Sequence, residues 1–388
     1  MKSVFLNTFT LQSIVSVAPA IFVIPLMPIY FSTLQSSFIS IGILFFIIRF
    51  SGIIGSLFSG LFREIIDSKR LCILGELFSF VACVGLLLSL KISSPIVFII
   101  SIFVRYFFLS LIMVVRVQWL KELPHSEVIE KTFMVTNIIF QAGFGLTGLV
   151  LIFFSMSDIA YLALYMDAGS SMVGATLFYF GKRVELENSL DQLKISFIEK
   201  AKALFHGVPL KLMMIEVFIA SGIAGTNVLL VQFGKNHLAQ WGGYSLSLIL
   251  YSLFYVLGGL VISRGLKKDK SSLVYKAVIF STLGLFVSLL LTIFKITSLQ
   301  LVGFSALFFC YAFFMIGIQQ LWFIHLPKAS ATALFGIRST IIGSIWALGE
   351  IIYDGMKLEL EVRTIFFLLA TILAFVLLPK LNEQHGRI

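Results

Sequence analysis

Apolar runs of about 20 residues recur along this whole chain, each long enough to cross the hydrocarbon core of a bilayer as a helix. The stretch from Ile41 to Leu61 is typical, with a single charge, Arg49. Backbone groups inside a membrane have no water to bond. Such runs must therefore be helices that satisfy their own N–H and C=O groups, or strands of a closed barrel. The short apolar/polar alternation of barrel strands is absent. Composition agrees, since 59% of residues are hydrophobic and 12% charged, against about a quarter charged in soluble domains. The expected fold class is all-α, a polytopic membrane protein.

Twelve spans are expected, near 8–31, 38–62, 71–90, 94–118, 132–154, 158–181, 209–233, 241–264, 272–294, 298–322, 331–355 and 363–380. The first has only Lys2 ahead of it and no small-residue cleavage site behind it, so it reads as a retained helix. Base gathers in alternate loops: Arg63, Lys69 and Arg70; then Lys182, Arg183, Lys194, Lys200 and Lys202; then Arg264, Lys267, Lys268 and Lys270. The loops "FSTLQSS" and "FKITSLQ" carry none and one. This asymmetry puts both termini in the cytoplasm of a plasma-membrane protein, and it accounts for the net charge of +10 without nucleic acid. Cys72, Cys83 and Cys310 lie in or beside apolar runs without metal-ligand spacing, so they read as small core residues. No metal and no cofactor is expected.

The longest break divides the chain into a six-helix bundle over 1–183, a linker over 184–208 and a second six-helix bundle over 209–388. Leu190, Leu193, Phe197, Ala201, Leu204 and Phe205 recur in the linker at helical spacing, which suggests an amphipathic helix on the inner membrane surface. The halves echo each other. "WLKELPHSEVIEKTF" follows span four and "WFIHLPKASATALFG" follows span ten, with Trp119 and Trp322 203 residues apart, as are Pro124 and Pro327. Internal duplication of this kind is the plan of many secondary transporters.

In these features the chain resembles the major facilitator superfamily over nearly its whole length. The charged turn "GLFREIIDSKR" is similar to the family pattern G-x-x-x-D-R-x-G-R-K, with Gly60, Glu64, Lys69 and Arg70 in place and the central Arg and second Gly missing. Arg105 looks like the arginine that the family places in its fourth helix. "QAGFGLTGLVL" is similar to the Gly-rich motif of the antiporter branches but lacks their Gly-Pro pair. The resemblance implies two pseudo-symmetric six-helix bundles that alternate access to a shared site.

Charges inside the spans are the candidate functional groups, because each is costly in lipid and must turn toward protein or water. Arg105 and Arg116 are eleven residues apart, about three helical turns, and so share a face. Arg105 is placed in a substrate cavity with Arg49, Gln12, Asn137, Gln141, Asn227, Tyr311, Gln319, Trp346 and Glu350. Arg116, near Glu122, is placed at a cytoplasmic gate with Gly60, Glu64, Lys69, Arg70 and Glu76. Asp167 and Glu216 lie deep in spans six and seven, where desolvation favours the protonated carboxyl and so suits proton coupling. The other reading of these two is static pairing with Arg49, Arg105, Arg116 or Arg338.

Scattered histidines, no HExxH, no nucleophile elbow and no phosphate-cradling glycine loop weigh against an enzyme or an ATP-driven pump. The sequence therefore points to a secondary active transporter of an organic small molecule, anionic or amphiphilic. Proton coupling, export and a monomeric working unit are expected. Uptake of an organic anion, lipid flipping and a non-transporting membrane sensor or scaffold are the alternatives. The partners are a small-molecule substrate, protons or another coupling ion, and the lipid bilayer.

Overall fold

The structure, a computed structural model, describes residues 11, 15, 18–34, 40–121, 141–153, 156–180, 206–239, 243–266, 271–294, 296–325, 331–354 and 359–385. The linker expected over 184–208 falls almost entirely outside these residues. The helices are α1 Ala18–Thr33, α2 Ile41–Ile65, α3 Ser68–Lys91, α4 Pro95–Lys121, α5 Gln141–Phe153 and α6 Met156–Phe180, followed by α7 Gly207–Ile223, α8 Thr226–His237 and α9 Gly243–Leu266. The chain continues through α10 Ser271–Ile293, α11 Thr297–His325, α12 Ala331–Asp354 and α13 Glu359–His385. No strand occurs among the described residues. Eight helical segments among them are long and apolar enough to cross a membrane, with α7 and α8 counted as one span.

Sequence chemistry sets the ends. Ser40 caps α2 by accepting from the Ile43 amide, and Asp67 caps α3 by accepting from the Arg70 amide at 2.9 Å. The charged turn between spans two and three thus carries a helix cap. Several expected spans come out longer than their apolar cores, spans ten and twelve among them. Span ten runs on to His325, and span twelve starts at Glu359. Span seven differs in kind. It breaks after Ile223, where Ala224 has φ −53° and ψ 149° and Gly225 takes the left-handed φ of 65°. Gly225 thus does more than permit close helix contact, since a residue with a side chain is strained at that φ.

Contacts divide the chain into Met1–Asn188 and Ser189–Ile388. In the first unit α1 packs on α6, α2 on α4, and α3 on both α4 and α6. In the second, α7 packs on α13, α9 on α11, and α10 on both α11 and α13, which is the same pattern. The repeat extends to single atoms. A Cβ on Gly55 would overlap the carbonyl oxygen of Phe107, and one on Gly258, 203 residues later, would lie 2.5 Å from that of Phe309. Gly75 meets Ile112 where the second unit sets Val278 against Gly317, so the small residue has changed helices while the close approach remains. Small residues let membrane helices approach closely, and the gain is van der Waals contact.

Candidate functional site

In the first unit the buried charges meet in the packed interior. The Arg105 side chain on α4 reaches Asp167 on α6, its Nε donating to Oδ2 at 2.9 Å and its Nη2 to Oδ1 at 2.6 Å. Both side chains are 1% exposed. This is the side-on fork geometry in which a guanidinium and a carboxylate match bond for bond. From α3, Ser79 Oγ accepts from Arg105 Nη1 at 3.0 Å, and the Cys83 thiol donates to Asp167 Oδ2 at 3.1 Å. Glu76, one turn before Ser79, is 1% exposed and adds its field at the Arg105 guanidinium. Tyr30 and Tyr106 stand within electrostatic reach of Asp167. The Tyr106 hydroxyl and Ser171 Oγ are buried with no hydrogen-bond partner among the described residues.

The second unit holds a comparable group on other helices. Glu216 on α7 accepts both forks of Arg338 on α12, with Arg338 Nε on Oε2 at 2.7 Å and Nη2 on Oε1. Trp322 Nε1 on α11 donates to the same Oε2 at 3.0 Å, and the Arg338 guanidinium lies 5.5 Å from the Trp322 ring centroid. Trp322 is completely buried. Three helices therefore converge on one carboxylate.

Toward the other end of α12, Asn227 Nδ2 donates to Glu350 Oε1 at 3.0 Å. An aromatic chain links these elements. Phe233 stacks on Phe304 at 3.9 Å, Phe304 meets Phe308, and Tyr251, Tyr255 and Tyr311 continue it to Trp346, 6.1 Å from Tyr311. Offset and edge-on contacts of this kind favour a firmly packed interior.

The residues singled out in the sequence thus fall into several places. Arg105 joins Asp167, with Glu76 close by, and Glu216 joins Arg338. Asn227 joins Glu350, and Tyr311 joins Trp346. Arg49 sits half-buried on α2 near Tyr106. Gln141 is buried at the start of the described part of α5, and Gln319 is half-buried on α11. Lys69 lies 5.8 Å from the Tyr179 ring, while Arg70 is mostly exposed and bonds Asp67 at 3.2 Å. Gly60 and Glu64 belong to α2 and Arg116 to α4. Gln12, Asn137 and Glu122, and the side chains of Glu64 and Arg116, lie outside the described residues.

Three groups were not legible as polar partners. Cys83 reads as core filler yet bonds a carboxylate. Ser79 reads as one serine among many in an apolar helix. Arg363 stands at the expected boundary of span twelve and is 1% exposed.

The profile of the Major Facilitator Superfamily matches residues 4–350. The chain belongs to this family of membrane transporters. Its fold is shared by solved structures of low identity. A bacterial homologue of the iron transporter ferroportin in its outward-facing state superposes with TM-score 0.72 at 11% identity, covering 96% of this chain and 98% of that one. The nucleoside transporter NupG gives 0.65 at 16%, covering 96% and 97%. A point variant of the E. coli fucose:proton symporter FucP gives 0.63 at 12%, also covering 96% and 97%. No curated protein sequence matches the chain.

Proposed function

We propose that the protein is a proton-coupled secondary transporter of an organic small molecule. It works in the plasma membrane as a single chain with both termini cytoplasmic, and it exposes its site to one side at a time. The observation that carries this reading is the pair of buried arginine–carboxylate forks, Arg105–Asp167 and Arg338–Glu216. A buried fork is tolerable because each charge is cancelled locally. Protonating the carboxylate would strand the arginine, at a cost of roughly 3–5 kcal/mol for a broken buried pair. An arginine cannot release its own proton to escape that cost. Proton arrival at Asp167 or Glu216 is therefore coupled to movement of the helices that carry the partner.

An anionic or amphiphilic organic solute is the expected cargo, with Trp346, half-buried at the end of the aromatic chain, as the group placed to meet its apolar face. Export is the favoured direction. Uptake by symport is the second reading, and its symport part accords with the fold likeness to the fucose:proton symporter. The test is solute distribution in cells that overproduce the protein, over a panel of organic anions, nucleosides and amphiphiles, with and without a protonophore. At least one compound should be redistributed, and the protonophore should abolish the effect. Unchanged distribution of the whole panel would overturn the proposal.

A further inference from the structure

The break in span seven leaves a set of backbone carbonyls that in lipid would each cost several kcal/mol without a partner. Every one from Ala220 to Gly225 is satisfied, and the partners are specific. Ala220 O accepts the Ala224 amide at 2.8 Å, and Gly225 O accepts the Leu229 amide at 2.9 Å. Ser221 O accepts the Tyr353 hydroxyl at 2.9 Å, and Ile223 O accepts the Thr226 hydroxyl. The remaining two, Gly222 O and Ala224 O, both accept from Nη1 of Arg363, the former at 2.7 Å.

Arg363 comes from α13 and lies with its guanidinium carbon 3.8 Å from the Tyr353 ring centroid. Residues of α12 close the other side. A Cβ on Gly225 would lie 2.9 Å from Gly349 O, and one on Gly349 would overlap the Ala224 side chain. The negative end of the α7 dipole, two carbonyls and an aromatic face thus all converge on one permanent cation.

In other discontinuous membrane helices, carbonyls freed at such a break coordinate a coupling ion. We propose that Arg363 pins the break in span seven. Its tethered guanidinium takes the place of that ion, making the break a fixed hinge that sets the direction of α8, not a sodium site. This deepens the transport reading, because α8 carries Asn227, bonded to Glu350, and Phe233, the first ring of the aromatic chain.

The test needs no substrate and no transport, so its failure is distinct from failure of the transport reading. Hydrogen exchange by mass spectrometry is followed on the purified full-length protein in lipid nanodiscs, in sodium buffer and in sodium-free choline buffer. Wild-type protection over residues 222–230 should be equal in both buffers. Arg363→Ala should exchange at least about tenfold faster over that segment, with α9, α10 and α11 unchanged. Should Arg363→Ala not fold, Arg363→Lys serves, because it lacks the planar guanidinium that lies against Tyr353 while its Nη1 serves both carbonyls. It should loosen the same segment. Sodium-dependent protection in the wild type, wild-type protection in Arg363→Lys, or uniform loosening of the second unit would each overturn the inference.

Discussion

Arg105 and Asp167 stand 62 positions apart in the chain and meet fork to carboxylate inside the first unit, each 1% exposed. Such a pair is sensitive less to the loss of both charges than to the loss of one. Asp167→Asn should lower stability by roughly 3–5 kcal/mol, because it leaves a buried guanidinium uncompensated. The double variant Arg105→Gln/Asp167→Asn should recover much of that loss. Denaturation of the purified protein in mild detergent, run as a double-mutant cycle, gives the coupling. Additive losses would mean that the two side chains do not act as a pair.

Trp322 separates hydrogen bonding from charge at Glu216. Trp322→Phe keeps an aromatic face beside Arg338 and removes the indole N–H, so it should cost about 1.5–3 kcal/mol, the range for one hydrogen bond to a charged group. Glu216→Gln strands Arg338 and should cost more. The same denaturation measurement orders the two. Equal losses would place the value of Glu216 in its indole bond.

The close helix approaches predict opposite results for two glycine substitutions. A Cβ at Gly55 would overlap the Phe107 carbonyl, so Gly55→Ala must push α2 from α4 and should destabilise by about 1–3 kcal/mol. Nothing among the described residues lies within 4 Å of a Cβ at Gly169 on α6. Gly169→Ala should be neutral, or stabilising by up to about 1 kcal/mol through helix propensity. Thermal unfolding monitored by circular dichroism distinguishes the two.

What could be read from the sequence follows from what repeats in it. Apolar runs place the helices because bilayer thickness fixes their length. The 203-residue echo of Trp119 in Trp322 reappears as paired close approaches at Gly55 and Gly258. Pairings of charge were not readable. Arg105 to Asp167 spans 62 positions and Arg338 to Glu216 spans 122, so only the fold selects among the candidates. The break at Gly225 was hidden for another reason. Glycine is common in membrane helices, and what makes this one a hinge is donors from distant helices, Arg363 and Tyr353, which leave no local periodicity.

Gradient-driven accumulation in proteoliposomes tests the coupling claim most directly, using a compound found in the distribution screen and a pH gradient imposed across the membrane. Wild-type protein should concentrate that compound only while the gradient lasts. Asp167→Asn, assayed below its lowered unfolding temperature, should exchange the compound across the membrane without concentrating it. If Asp167→Asn and Glu216→Gln both concentrate the compound as the wild type does, the buried forks are static struts and the coupling account is contradicted.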